Sequence, residues 1–397
     1  MLDPNSRGFR VMLGAQSMVS SLAIDMSLPA LPAIAVAFSA DAGQVQLTIS
    51  LYLLGYALGQ LFYGPFSDRF GRRPLLIIGV TIYTVSGFAC AVAPTIEIMN
   101  AFRLLQGLGG CVGVVVSRAA ARDYFSGSAL AQTLSSITAF QAFGPLMAPV
   151  LGGILATYTG WHSIFLVQGI FAAFMLGVTW FGFGESLPQA NPYAIAPRHL
   201  LRNYWTFFSN PRCIGFALVS AFVFSGLFAV LSASPFVLIT LYGLSSQMFG
   251  FFFGASVLGY MLGAFGNRRL LLRGVAADTL MRYGLVILVF AGAAMLYCAS
   301  ERLGGVAGIM LPYVVYCIAI SFVQSNSVAA AMEPVPHMAG TGASLMGAIQ
   351  MASAAGGGWL VNYYFNGTGT PMGIAMALAA VGAMAAYWLV ARRRRTV

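Results

Sequence analysis

The sequence predicts an all-α integral membrane protein, with twelve transmembrane helices arranged as two six-helix halves. Three observations predict it. Only 8% of the 397 residues are charged while 59% are hydrophobic, against roughly 25% charged in soluble domains, so the polar surface a water-soluble fold needs is missing. The charges divide the chain into uncharged runs long enough for the ~20 apolar residues that carry a helix across hydrocarbon. The basic residues, all of them Arg, gather at alternate ends of those runs. The runs lack the period-two alternation over ~10 residues that marks barrel strands, which leaves helices.

Taken in order, residues 11–40 hold span one, interrupted by Asp25, and residues 42–67 and 74–96 hold spans two and three. Span four lies in 98–117 and is interrupted by Arg103. Residues 124–184 are uncharged throughout and must fold back once, at Thr157–Gly160, to give spans five and six. Residues 213–267 fold back near Tyr242 and Gly243 as spans seven and eight. Spans nine and ten follow at 283–300 and 303–332, and 334–391 holds spans eleven and twelve around Asn366–Gly369. The polar leader Met1–Arg10 runs into span one without a small-residue cleavage site, so the first helix is expected to be retained.

With the N-terminus inside, 18 arginines fall on one side and Arg302 alone on the other, with Arg103 inside a span. Positive loops stay cytoplasmic, so both termini are expected in the cytoplasm of a bacterial inner membrane. The +10 formal charge thus reads as topology, and no nucleic-acid partner is expected. The stretch Glu185–Arg212 contains four prolines near the midpoint of the chain. It divides the chain into an N-terminal half (1–184), a cytoplasmic linker (185–211) and a C-terminal half (212–397). Leu200, Leu201, Tyr204, Phe207 and Phe208 recur there at helical spacing, with Arg198 and Arg202 four apart, which predicts a short interfacial helix. Gly64–Arg73 after span two and Gly263–Arg269 after span eight lie half a chain apart, as expected of paired repeats.

On these residues the chain resembles the major facilitator superfamily over its whole length, and within it the bicyclomycin/chloramphenicol-resistance (Bcr/CflA) drug–proton antiporters. Gly64–Arg73 is similar to the superfamily's loop signature, and Arg103-Leu-Leu-Gln106-Gly107 to its fourth-span motif. Gly144, Pro145, Pro149, Gly152 and Gly153 resemble its antiporter motif. Ile24–Pro32 and Ala339–Ser344 carry the narrower resemblance. The implied activity is proton-coupled efflux of small, largely apolar molecules by alternating access. A proton-coupled exporter of a polar metabolite is the alternative, and it predicts a more polar cavity. A channel or receptor is the rival from another class, and the duplication and embedded charges argue against it.

Asp25 is the one carboxylate inside a span, where an ionised group costs on the order of 2.5–3.5 kcal/mol by insertion scales and so calls for a partner or a function. A carboxyl in such a setting can exchange a proton or recognise substrate; the bland alternative is a bond to backbone groups freed at Pro29 and Pro32. Arg103 is the one base inside a span, about six residues or ~9 Å of rise from Glu97. It either snorkels outward or places a fixed charge in the bundle. Asp25 is a candidate for proton coupling, and the resemblance carries the coupling role of the family's span-four arginine over to Arg103.

For the loop signature the resemblance implies a cytoplasmic gate of Gly64, Asp68, Arg69, Gly71, Arg72, Arg73 and Asp123. In it Asp68 docks on the start of span eleven near Gly340–Ala343, and Arg72 pairs with Asp123. Asn267 replaces the acid in the second half, which predicts a weaker clamp there. The prolines and glycines of span five are expected to bend the helix and allow close packing. Gln141, Phe224, Phe228, Tyr316 and Gln350, together with Asp25, are candidates for substrate contact.

Cys90, Cys111, Cys213, Cys298 and Cys317 lie in or beside apolar runs with no metal spacing, and His162, His199 and His337 are isolated, so neither a metal site nor a hydrolase is expected. A chain without Lys cannot form a Walker A loop. No cofactor is expected. The partners expected are a small-molecule substrate, protons and anionic lipid at Arg392–Arg395, and the protein is expected to be a monomer.

Overall fold

The computed structural model describes residues 2–4, 6–335 and 339–393. His337, Arg394 and Arg395 lie outside these. Span one is α1 (Arg7–Asp25), a single tight turn at Leu28–Ala30 and α2 (Leu31–Phe38). Its break follows from Pro29 and Pro32, which cannot donate to the carbonyls four residues before them. Spans two to six are α3 (Ala42–Phe70), α4 (Arg72–Ala91), α5 (Ile96–Tyr124), α6 (Gly127–Tyr158) and α7 (Trp161–Gly182). The linker holds α8 (Pro197–Ser209). Spans seven to twelve are α9 (Pro211–Pro235, continued by a π-helical turn to Leu241), α10 (Ser246–Leu272), α11 (Ala277–Ser300), α12 (Gly305–Met332), α13 (Ala339–Tyr363) and α14 (Thr370–Arg393). Among the described residues there is no strand.

Eleven of the twelve spans are long and apolar enough to cross a membrane. The other, α13, has spanning length at 25 residues, but its Gly, Ala and Ser content leaves it less apolar, as suits a helix packed between others. Caps start many of the helices: Asp41 and Gln44 close a capping box on α3, and Ser6, Thr95, Asn210 and Ser245 accept from first-turn amides.

Within the first half, α3 lies directly against α5. A side chain at Gly55 would meet the Leu104 carbonyl, and one at Gly107 would meet that of Tyr52. The seam between the halves runs along α3 with α13 and α6 with α10. Its two ends differ. Away from the arginine-rich face the halves touch: Asn362 Nδ2 donates to the Gly43 carbonyl at 2.6 Å, Gly250 lies on the carbonyl of Pro149, and Gly153 on that of Ser246. At the arginine-rich face a cavity of about 220 Å³ is lined by Gln60, Asp68, Arg118 and Arg122 of the first half and by Gly340, Thr341, Ala343 and Ser344 of the second, while Gly64 still lies beside Ser344 and Gly347 against Gln60. The glycines of α6 thus lie where close approach to α1 and α10 is needed, Gly152 also packing on the Met26 carbonyl.

The linker helix α8 is two-faced. Phe207 is fully buried, while Leu201, Trp205 and Phe208 point outward, Trp205 at 74% exposure. His199 falls on this helix. The cysteines are all free, four of them buried.

Candidate functional site

Arg103 is fully buried with 0% exposure, which removes the snorkelling alternative. Its guanidinium donates to Gln106 Oε1 at 2.7 Å, to the Ala23 carbonyl at 3.1 Å and to the Thr48 carbonyl at 3.4 Å. The rings of Tyr52 and Phe165 cover it, with centroids at 4.7 and 5.7 Å. A buried cation is tolerated when every donor is used and aromatic faces replace part of its hydration. The arrangement fastens the end of α1 to α3 and α5. A second tie extends it: Gln106 Nε2 donates to Gln168 Oε1 on α7 at 3.2 Å, and Gln168 Nε2 to the Leu22 carbonyl at 3.4 Å.

Asp25 is the last residue of α1, two residues beyond the Ala23 carbonyl that Arg103 grips. Its carboxylate makes no hydrogen bond or ion pair among the described residues, so it is not paired with Arg103. It is partly buried and lies within electrostatic reach of Tyr313 on α12, across the seam. The neutral acceptors around Arg103 and the unpaired acid beside the helix break therefore form one constellation, joined through backbone and not through an ion pair.

At the arginine-rich face, Arg72 is the hub. It pairs with Asp68, donates from Nε to Asp123 at 3.0 Å and from its terminal nitrogen to Ser67 Oγ at 2.6 Å. The expected Arg72–Asp123 contact is present. Among the described residues the expected dock of Asp68 is absent: Asp68 lines the same cavity as Gly340, Thr341 and Ser344, but its carboxylate pairs with Arg72, four residues along the chain. Proximity across the tight Gly71 turn wins over a helix end on the far side of a cavity.

Glu185 is the part of this site that the sequence reading missed. It accepts from the amides of Arg72 at 2.9 Å and Arg73 at 3.2 Å, supplying the acid that the first turn of α4 favours. Gly71 makes this possible: its φ is +99°, and any Cβ there would strike the Glu185 carboxylate. Ser186 donates to Asp123 at 3.0 Å, Arg69 to the Pro192 carbonyl at 2.8 Å, and Arg73 to that of Trp180 at 2.8 Å. An acid immediately after span six was the available signal. In the second half, Asn326 donates to Asn267 at 3.0 Å, an uncharged amide pair in place of the charged triad.

The substrate candidates do not form one group. Gln141 is half-buried and accepts from Arg118 at 2.9 Å. Phe224 and Phe228 stack with centroids 6.2 Å apart. Tyr316 is fully buried and donates to the Val223 carbonyl at 3.3 Å, and Gln350 donates to Ser220 at 2.9 Å, which itself donates to Gln324. The last two hold spans seven, ten and eleven together in this arrangement.

A bundle of twelve spans in two halves, packed closely at one end and enclosing a cavity at the other, with a partly buried acid and a fully buried base at a break in span one, is the architecture of a secondary transporter. The chain belongs to the major facilitator superfamily, whose family model matches residues 13–359, and within it to the bicyclomycin- and chloramphenicol-resistance branch. It is 32% identical to the Bicyclomycin resistance protein homolog of Haemophilus influenzae, over 97% of this chain and 96% of that one. It is 27% identical to the Chloramphenicol resistance protein of Pseudomonas aeruginosa, over 83% of this chain and 78% of that one. The fold is shared with a solved bacterial homolog of the human lysosomal transporter Spinster, at a TM-score of 0.76, 17% identity and coverage of 100% and 98%.

Proposed function

We propose that the chain exports small, largely apolar molecules from the cytoplasm in exchange for protons. The observation that carries this reading is the unpaired Asp25 carboxylate at the break of span one, beside a fully buried Arg103 that fastens the same break. Such a carboxylate is stable either protonated or in contact with water or substrate, and alternating between these couples proton to cargo. The resistance proteins it resembles point to antimicrobial compounds as the cargo class. A susceptibility panel on cells overexpressing the chain tests this: tolerance to at least one compound should rise, and uniform susceptibility removes the drug-efflux reading. Uphill flux in vesicles under an imposed pH difference tests the coupling.

In this reading the two halves, 1–184 and 212–397, rock about the linker 185–211 in the inner membrane of a bacterium, and the arginine-rich face is cytoplasmic. The 18-to-1 distribution of arginines supports the orientation. A C-terminal reporter active only outside the cytoplasm should stay silent. The protein works as a monomer, without cofactor or catalysis, and Arg392–Arg395 meets anionic lipid.

The triad at Arg72 holds the cytoplasmic gate. Asp68 is about half exposed, so its pair with Arg72 is worth about 0.2–1 kcal/mol, enough to move a two-state population up to about fivefold. Asp68→Asn should lower transport by loosening the Arg72 cluster that shapes the gate loop of the first half, with expression largely kept. Undiminished transport would leave these residues a topological role only.

A further inference from the structure

We infer that Tyr204, in the linker helix, is a positioning residue of the gate that acts through the backbone of span two. Pro65 sits inside α3 and has no N–H, so the Leu61 carbonyl four residues earlier loses its helical donor. A carbonyl freed in this partly buried stretch needs a replacement partner. Tyr204 Oη supplies it, donating to the Leu61 oxygen at 3.1 Å. The bond is made one turn ahead of Gly64–Arg73, the segment that carries the Arg72 triad.

The neighbourhood gives this bond a lever. Phe207, three residues on, is fully buried, and Asn210 alone separates α8 from α9, capping α9 through the amides of Arg212 and Cys213. A tilt of the second half therefore reaches Tyr204 through one residue of chain. Nearer the N-terminus of the linker, Asn191 donates to the Asp68 carbonyl at 2.9 Å, and the Pro192 carbonyl accepts from Arg69. The linker thus grips span two on both sides of its proline, and the Tyr204 hydroxyl sets the bend that presents the gate loop.

The inference rests on the transporter reading, yet its test does not need flux. Spin labels at Phe70 and Leu272, both exposed and in opposite halves, report the opening of the arginine-rich face in the full chain. Tyr204→Phe keeps the ring and removes the donor. It should shift the label distances and lower the maximal efflux rate by about two- to tenfold, the weight of one neutral hydrogen bond, with KM unchanged. In a Pro65→Ala background residue 65 regains the N–H that satisfies Leu61, so Tyr204→Phe should add nothing further. Unaltered distances for Tyr204→Phe in the native background, or the same shift in both backgrounds, overturns the inference. If Pro65→Ala fails to assemble, the single variant decides on the label distances alone. Failure of the transporter reading shows separately, as absent uphill flux by the unmodified chain.

Discussion

An Asp25→Asn variant is expected to lose uphill, pH-driven efflux altogether while keeping downhill exchange of the same compound. The argument rests on where the carboxyl sits. It closes α1 at the one break in span one, carries no ion pair or hydrogen bond among the described residues, and lies within electrostatic reach of Tyr313 in the other half. A charge in that setting is costly unless it is met by water, substrate or a proton. Asn keeps the volume and most of the hydrogen-bonding capacity but cannot exchange a proton. Asp25→Glu should retain part of the activity, since it can. The decisive measurement is substrate-induced proton release by purified protein, unmodified against Asp25→Asn. Equal release from both would place the proton elsewhere, for example on a loop acid such as Asp41 or Glu333, and make Asp25 structural or a substrate ligand. Asp41 starts from a capping box on α3 and Glu333 from an ion pair with Arg212, and each would have to leave that arrangement to serve.

Much of the bundle was legible because charge is expensive in lipid, so the few charged residues mark the ends of the spans. The turns at Thr157–Gly160, Tyr242–Gly243 and Asn366–Gly369 coincide with helix boundaries, and the break at Asp25–Pro32 follows from two missing N–H groups. The candidate site was legible in its members and less so in its wiring. That Arg103 and Asp25 matter follows from their being lone charges in spans. That they are joined through the Ala23 carbonyl and not to each other depends on how α1, α3, α5 and α7 pack, which no local pattern encodes. Resemblance sent Asp68 across the seam, where four-residue spacing to Arg72 was the better guide. The contacts made by Glu185, Gln168 and Tyr204 were missed for a common reason. Each acts on backbone groups distant in sequence, at Arg72, Leu22 and Leu61, and backbone acceptors leave no signature in composition.

Arg103→Lys is expected to be nearly as damaging as Arg103→Leu, with efflux reduced at least about tenfold in both, a loss of about 1.4 kcal/mol. The two substitutions separate charge from geometry. If a fixed positive charge were all that the site needed, Lys would restore function. The guanidinium, however, reaches three acceptors on three different helices at 2.7, 3.1 and 3.4 Å while lying against Tyr52 and Phe165. An ammonium is a compact, strongly hydrated charge that lacks the planar fork, so it cannot reach all three acceptors at once and loses the flat contact with the rings. The Ala23 carbonyl is the acceptor that matters most, because it fixes the backbone two residues before Asp25. Gln168→Leu, which removes the side-chain donor from the neighbouring Leu22 carbonyl without touching any charge, should then reproduce part of the Arg103→Lys defect. Proton release and efflux measured on all three variants distinguish the cases. Full activity in Arg103→Lys with a dead Arg103→Leu would show that Arg103 acts by its charge, and that the fastening of span one by hydrogen bonds is dispensable.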